Sequence, residues 1–402
     1  MTTADEEVAA RSPGDARNGA DQIGRPSRVV VLADELGGGT GTILLSVSKL
    51  WNPNEWEASI LSQRGPRSRV VPGVPVEVLP ALRGLTMYPI AQLRRSRQVA
   101  AHVRRERPAI VHSYFFWSIM YGRLSKALGL VSKLVENRED QGFNWGRHEY
   151  ALLRMTSHLP DRVICVSEAV RQTVLERERL APSRVLVIHN GIEITTAART
   201  PSAGPRGLPS LRRSLGLADD HLVVGMVANF DRAVKGVDYF FDAMPAVLAE
   251  VPAARFLLLG RGNEEGRLRA RAASMGIADR VIFAGFQAEI DPYYDLMDLS
   301  VLTSLSEGLS MTVLESMKHG VPVVATRVGG NPELVKEGVT GHLVPPRDVP
   351  AFAARVVELL RAPALRAQMG REGRRVVENE FDLRRTAERY TATYRELLEA
   401  RG

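Results

Sequence analysis

Two glutamates eight positions apart, Glu307 and Glu315, flank a small-residue turn in the stretch SLSEGLSMTVLESMKHGVPVVATRVGGNPELV at 304–335. The apolar run at 299–303 reads as a strand, Gly308 as a turn, and 310–320 as a helix ended by Gly320. The backbone N–H groups of Ser310, Met311 and Thr312 then lack intrahelical acceptors, which suits a phosphate. Glu307 before the helix and Glu315 a turn into it can face one ligand, and carboxylates accept hydrogen bonds from sugar or ribose hydroxyls. Alone the pair is a weak signal, because Thr312 and Glu315 also spell a capping box. A second stretch, MVANFDRAVKG at 226–236, ends a strand and places Arg232 and Lys235 before the next helix. An Arg fork and a Lys point charge there can clamp a diphosphate; two solvated loop cations are the plain alternative. A third, LGGGTGT at 36–42, lies between a strand and a helix expected from 42. Gly38 and Gly39 let the backbone approach a ligand closely. The spacing fits neither G-x-G-x-x-G nor a Walker loop, so a tight turn explains it equally well.

These residues need a frame to bring them together. Short apolar runs at 29–32, 59–61, 76–79, 109–112, 133–136, 163–166 and 185–188 read as buried strands. Segments of helical spacing separate them, at 42–50, 91–105, 117–128, 147–158 and 168–177. The alternation restarts with strands at 222–228, 255–259, 281–284, 299–303, 322–326 and 342–344. Strands alternating with helices predict doubly wound parallel sheets covered on both faces. The expected layout is a disordered tail at 1–27, a domain at 28–194, a Pro- and Gly-rich linker at 195–209, a second domain at 210–380 and a last helix at 381–402. That helix is expected to pack back on the first domain. From 351 onward the chain reads as nearly all helix, interrupted near Pro363 and Asp382. Two such domains predict a cleft, with the site at the C-terminal ends of the strands.

Composition narrows the function. The chain has 402 residues, 45% hydrophobic, which suits two domains. One Cys, Cys165, excludes an intrachain disulfide framework and points to a reducing compartment. The acidic N-terminus does not read as a secretory signal, and no apolar run approaches the length of a membrane span. The eight His show no metal-ligand spacing and no Asp-x-Asp occurs, so no metal site is expected. The net charge of +7 is uneven: −2 over 1–27, +8 over 28–195 and +1 over 196–402. A field confined to one half suggests an anionic partner for that half. His112 ends a predicted strand, where a site residue belongs, although a structural His is the commoner outcome.

Together the three stretches resemble the retaining glycosyltransferases of family 4, which have the GT-B fold of two Rossmann-like domains. Glu307, Gly308, Leu309 and Ser310 through Glu315 carry the likeness as an E-x7-E motif. The runs GVPVVAT at 320–326 and VTGHLVPP at 339–346 continue it, with Val328, Gly329 and Gly330 between them. Arg232, Lys235, Asn190, Ser167, Gly38 and Gly39 add to it, in order from about 28 to 385. The resemblance implies a hexosyl or N-acetylhexosaminyl transfer, with retention and without a metal, from a nucleotide diphosphate sugar, UDP- or GDP-type. The acceptor would be a glycan or lipid-linked hydroxyl in envelope or extracellular polysaccharide or glycolipid synthesis. No other cofactor is implied. Arg232, Lys235 and Glu307 would be catalytic. Glu307 would also contact the donor sugar, Glu315 the ribose, and the turn Gly308, Ser310, Met311 and Thr312 the phosphate or sugar. The Gly38 and Gly39 loop would close over the diphosphate.

The chain departs from the pattern in several places. Tyr114 stands where a second His is common, Gly41 where Glu is, Thr303 where Pro is frequent, and Glu139 where Arg is usual. His112, Tyr114, Arg138 and Asp140 are acceptor-side candidates. A sugar-nucleotide epimerase of the same fold is the alternative enzyme. A basic nucleic-acid binder is more distant, because no recognition helix or zinc finger is spelled. Six Arg in 91–107 (Arg94, Arg95, Arg97, Arg104, Arg105 and Arg107) suggest a cytoplasmic protein peripheral on an anionic membrane face.

Overall fold

The computed structural model describes residues 26–36, 38–64, 74–79, 88–143, 145–194 and 209–400. Of the tail at 1–27 and the linker at 195–209, all but residues 26, 27 and 209 lie outside the described residues.

Apolar runs without alternation must be covered on both faces, and the first half does this with one parallel sheet. Its strands are β1 (Ser27–Ala33), β2 (Trp56–Ser62), β3 (Val76–Val78), β4 (Ile110–Tyr114), β5 (Lys133–Arg138), β6 (Arg162–Cys165) and β7 (Val185–Val187). They lie in the order β3-β2-β1-β4-β5-β6-β7. The second half repeats the design with β8 (Leu222–Asn229), β9 (Ala254–Arg261), β10 (Val281–Gly285), β11 (Leu299–Leu302), β12 (Val323–Thr326) and β13 (Gly341–Val344). Their order is β10-β9-β8-β11-β12-β13, again parallel. In each sheet the order reverses beside the first strand, between β1 and β4 and between β8 and β11. Ligands of open parallel sheets bind in the crevice outside such a point.

The chain after β13 forms the helices Val349–Arg361, Pro363–Glu380 and Leu383–Glu399. Pro363 opens the second, and the Asp382 carboxylate caps the third by accepting from the Arg384 N–H. The third helix lies on the first sheet, where Tyr390 and Tyr394 are fully buried with Val29, Val31, Ile43, Trp51 and Trp56. The chain thus passes between the halves twice. The two passages touch: the Ile192 N–H donates to the Phe381 carbonyl at 2.8 Å, and the Leu383 N–H to the Ile192 carbonyl at 3.1 Å. A shared apolar cluster holds Val166 and Val170 of the first half against Leu309, Val313 and Leu334 of the second.

Several elements differ in extent from their predictions: β2 begins three residues earlier than expected and the first helix four. The first helix is Gly38–Lys49, so it opens inside the glycine stretch rather than after it. Gly41 explains the early start: a Cβ there would lie 2.4 Å from the Leu36 carbonyl carbon, too close for any larger residue to let the turn close.

Candidate active site

The switch point of the second sheet gathers the residues singled out by type. After β8 the chain makes a single turn, Ala233–Lys235, which stops at Gly236 with φ +61°. A Cβ on Gly236 would stand 2.1 Å from the Thr303 carbonyl oxygen, and the Thr303 hydroxyl donates to the Gly236 carbonyl at 2.8 Å. The Leu305 N–H adds a bond to the Val234 carbonyl at 2.7 Å. The Lys235 turn is therefore pinned to the end of β11, and the Lys235 ammonium meets Glu307 at 2.7 Å. Ser304 donates to the same oxygen of Glu307, Oε1, at 2.6 Å. Among the described residues Oε2 takes no side-chain or backbone donor, which leaves it open to a ligand hydroxyl. Glu307 is buried, so its charge depends on these partners. Arg232 is exposed and its guanidinium makes no ion pair among the described residues, so it is free to take an anion.

Ser310 is the residue before the helix Met311–Lys318. The capping-box alternative for Glu315 fails. Its carboxylate accepts instead from the Tyr294 hydroxyl at 2.9 Å, and Thr312 pairs its hydroxyl with Ser310 at 3.0 Å. Desolvation holds the Glu315 carboxyl above the usual carboxylate range, against the Tyr294 bond and the charge of Lys318. Tyr294 is itself buried and stacked on His319 at 5.5 Å. Glu315 is thus a fixed acceptor at the mouth of a helix N-terminus.

Backbone contacts fix the turn at Gly308. A Cβ on Gly329 would come within 1.8 Å of the Glu307 carbonyl oxygen, and the Gly330 N–H donates to the Gly308 carbonyl at 3.0 Å. From the other half, a Cβ on Gly308 would lie 1.9 Å from the Glu139 carbonyl oxygen and 3.1 Å from the Asp140 Cα. Gly39 approaches from above, since a Cβ there would lie 3.2 Å from the Met311 Cγ. Gly38 opens the same helix as Gly39. The glycine turn of the first half and the helix N-terminus of the second thus converge on one cleft.

The acceptor-side candidates divide. Asp140 is exposed at this lip, its carboxylate accepting from the Gly142 N–H at 2.7 Å. His112 and Tyr114 do not reach the cleft. His112 is enclosed, with Nδ1 2.6 Å from the Tyr394 hydroxyl and Nε2 3.2 Å from Asn137 Oδ1. Burial pushes its pKa down to about 3, so the ring is neutral. Tyr114 stacks on it at 4.6 Å and is 4% exposed. Arg138 also turns inward. Its guanidinium is 1% exposed and pairs with Glu178 at 2.6 Å and Glu136 at 2.9 Å. Arg123 holds the other side of Glu136 at 2.7 Å. This is a structural quartet beneath the sheet, because β5 sends Glu136 and Arg138 to one face and Asn137 to the other. Cys165 is buried, its thiol pushed up to about 12 by desolvation, and is unreactive.

Residue types alone did not single out Glu139. It accepts from Asn137 Nδ2 at 2.5 Å, Asn190 Nδ2 at 3.1 Å and the Thr40 hydroxyl at 3.3 Å, beside the glycine turn. All three donors are neutral, and desolvation holds this carboxyl above its usual range. Its place in the chain after β5, at the C-terminal end of a central strand, is the signal that could have found it. Among the described residues, no three His, Cys, Asp or Glu side chains gather as a metal site, and no helix is long and apolar enough to cross a membrane.

Comparison with known proteins agrees with this arrangement. Residues 37–196 match the family described as Glycosyltransferase Family 4, and residues 221–362 the family described as Glycosyl transferases group 1. N-acetyl-alpha-D-glucosaminyl L-malate synthase of Bacillus anthracis is 31% identical over 193 residues, 48% of this chain and 50% of that protein. D-inositol 3-phosphate glycosyltransferase of Acidothermus cellulolyticus is 32% identical over 252 residues, 60% and 54% respectively. The chain spans about half the length of these curated relatives. Among solved structures, Anabaena Alr3699/HepE in complex with UDP superposes with a TM-score of 0.77 at 20% identity, over 92% of this chain and 100% of that one. At that identity the likeness speaks for the fold.

Proposed function

Because the chain belongs to the glycosyltransferases of family 4 and has the two-domain GT-B fold, we propose that it moves a hexosyl or N-acetylhexosaminyl group from a nucleotide diphosphate sugar to an acceptor hydroxyl, with retention and without a metal. The observation that carries this reading is the contact of Lys235 with Glu307, at 2.7 Å beside the switch point of the second sheet. It sets a cation for a diphosphate next to a carboxylate for sugar hydroxyls. The bond from the anomeric carbon to the diphosphate oxygen breaks with its electron pair on oxygen. The acceptor oxygen bonds to that carbon and releases its proton. Charge thus grows on the leaving diphosphate. In this reading Lys235, Arg232 and the N–H groups at Ser310 and Met311 take up that charge, which lowers the barrier. Glu307 Oε2 accepts from a donor hydroxyl and Glu315 from the ribose. Asp140, at the lip facing Gly308, stands on the acceptor side.

UDP-type donors are favoured by the fold's likeness to a protein solved with UDP. The reading predicts that one of the UDP-, GDP-, ADP- or TDP-sugars stabilises the fold by about 2.7 kcal/mol at about one hundred times its Kd, read as a raised melting temperature. Its turnover persists in EDTA. Unchanged turnover in all of Glu307→Ala, Glu315→Ala and Lys235→Ala overturns the assignment. Inversion of a ring carbon in the donor, followed by NMR without acceptor, favours the epimerase instead.

A role in envelope or extracellular polysaccharide or glycolipid synthesis, from the cytoplasmic face of a membrane, rests on one helix, Tyr88–Glu106. Ile90, Leu93, Arg94, Arg97, Ala101 and Arg104 are exposed, and their spacing puts them on a single stripe. Val99, His102 and Val103 face the core. An apolar tip followed by cations suits an anionic bilayer surface, at about 1 kcal/mol per Arg near it. The protein is expected to sediment with anionic vesicles at low salt and to be released by high salt. Equal binding to neutral vesicles rejects this attachment.

A further inference from the structure

Glu333 belongs to the second half, in the single turn Asn331–Leu334 that follows the glycine pair Gly329 and Gly330. All its side-chain hydrogen bonds are with the first half. Its carboxylate accepts from the Glu168 N–H at 3.0 Å and the Ala169 N–H at 3.2 Å, and meets His189 Nε2 at 2.8 Å. Those N–H groups open the helix Glu168–Glu178, whose preceding residue, Ser167, caps only the Val170 N–H. The other orphan donors of that helix are thus answered from the other half of the molecule. The contact is not a surface accident, since a Cβ on Gly330 would lie 2.9 Å from the Ser167 Cβ. The same two glycines bear on the backbone of Glu307 and Gly308.

We propose that Glu333 is a positioning residue, a clasp that seats the donor half on the helix Glu168–Glu178 and His189 and through Gly329 and Gly330 sets Glu307 against the acceptor half. The catalytic part of this proposal rests on the glycosyltransferase reading; the clasp itself does not. The two chain passages, the shared apolar cluster and the glycine contacts hold the halves together by fit, and the Glu333 carboxylate on two N–H groups adds a directional bond to them. Displacements of about 1 Å at reacting centres cost about a hundredfold in rate. Of the proposed nucleotide contacts, Arg232, Lys235 and Glu315 belong to the second half and share no hydrogen bond with Glu333; the Gly38 and Gly39 loop alone would reach the nucleotide from the first half.

Glu333→Ala and Glu333→Gln in the full chain test this. In Glu333→Ala, amide exchange at Glu168 and Ala169 quickens at least tenfold, and small-angle scattering shows a larger radius of gyration. The Kd for UDP or GDP, whichever binds the wild type, stays within about twofold, while kcat falls at least tenfold. Glu333→Gln, which keeps one acceptor oxygen, recovers part of kcat. Wild-type exchange at Glu168 and Ala169 with unchanged scattering overturns the clasp, and wild-type kcat overturns its catalytic role. Parallel loss of nucleotide binding and thermal stability overturns positioning in favour of a merely structural residue. A wild type that turns over none of the four nucleotide sugars removes the glycosyltransferase reading and the catalytic role with it, while exchange and scattering still decide the clasp.

Discussion

Lys235→Ala is expected to lower kcat by about 10²–10³ with the fold retained, the loss typical of one preorganised group aimed at developing charge. Two effects act together. The leaving diphosphate loses a cation held in place by the Gly236 turn and the end of β11. Glu307 loses its ion partner and keeps only Ser304, so a carboxylate that is 8% exposed becomes an unpaired acceptor. Lys235 and Glu307 are in contact at 2.7 Å, so the two side chains act as one unit. Their effects are then non-additive: Lys235→Ala with Glu307→Gln falls little below Lys235→Ala alone. Steady-state kinetics with the stabilising nucleotide sugar, beside a thermal melt, reads both quantities. Turnover within about threefold of wild type in Lys235→Ala removes the proposed role. A lowered melting temperature large enough to account for the lost rate does the same.

The contrast between donor and acceptor sides shows what a sequence reveals. Strands 29–32 through 342–344 were legible because a parallel strand buried on both faces is an uninterrupted apolar run. Pro363 and Asp382 marked their helix starts through local chemistry. Lys235 and Glu307 were legible as types in loops after strands, because the switch point of a doubly wound sheet lies there. Their contact was not, since it spans 72 positions and is made by Gly236 fitting against Thr303. The capping-box alternative for Glu315 stayed open in the sequence because its actual partner, Tyr294, arrives from a different helix. Arg138 and Asp140 are two residues apart and look alike as acceptor candidates. The end of the strand separates them: Arg138 is the last residue of β5 and faces the helices, while Asp140 has left the strand and lies at the cleft. Glu333 was invisible for the same reason as the contact of Lys235 with Glu307, since the partners of its side chain lie at least 144 positions away.

Arg138→Leu therefore tests a demotion, and its expected effect is on stability. The guanidinium makes two bonds to Glu178 and one to Glu136, all beneath the sheet at 1% exposure or less. Replacing a buried pair as a whole can be neutral, but removing one member strands the other, at about 3–5 kcal/mol. Here Glu136 and Glu178 are left with Arg123 alone. Desolvation opposes the charge of Glu136, and the two arginines overcome it, holding its carboxyl below the usual range. A carboxyl depressed in the fold contributes stability that is present above its unfolded pKa and fades as pH falls through its folded one. Losing Arg138 raises that folded pKa, so the deficit of the variant is greatest near neutrality and narrows as pH falls through the variant's raised pKa and then the wild type's depressed one. All four tryptophans, Trp51, Trp56, Trp117 and Trp145, lie in the first half, so their fluorescence in urea reports that half together with the last helix, whose Tyr394 packs on Trp51 and Trp56. The folded fraction of Arg138→Leu keeps its KM for acceptor. A raised acceptor KM with an unchanged urea midpoint would return Arg138 to the acceptor site. Asp140→Ala supplies the mirror image: its carboxylate is exposed, so the urea midpoint holds while acceptor kinetics move.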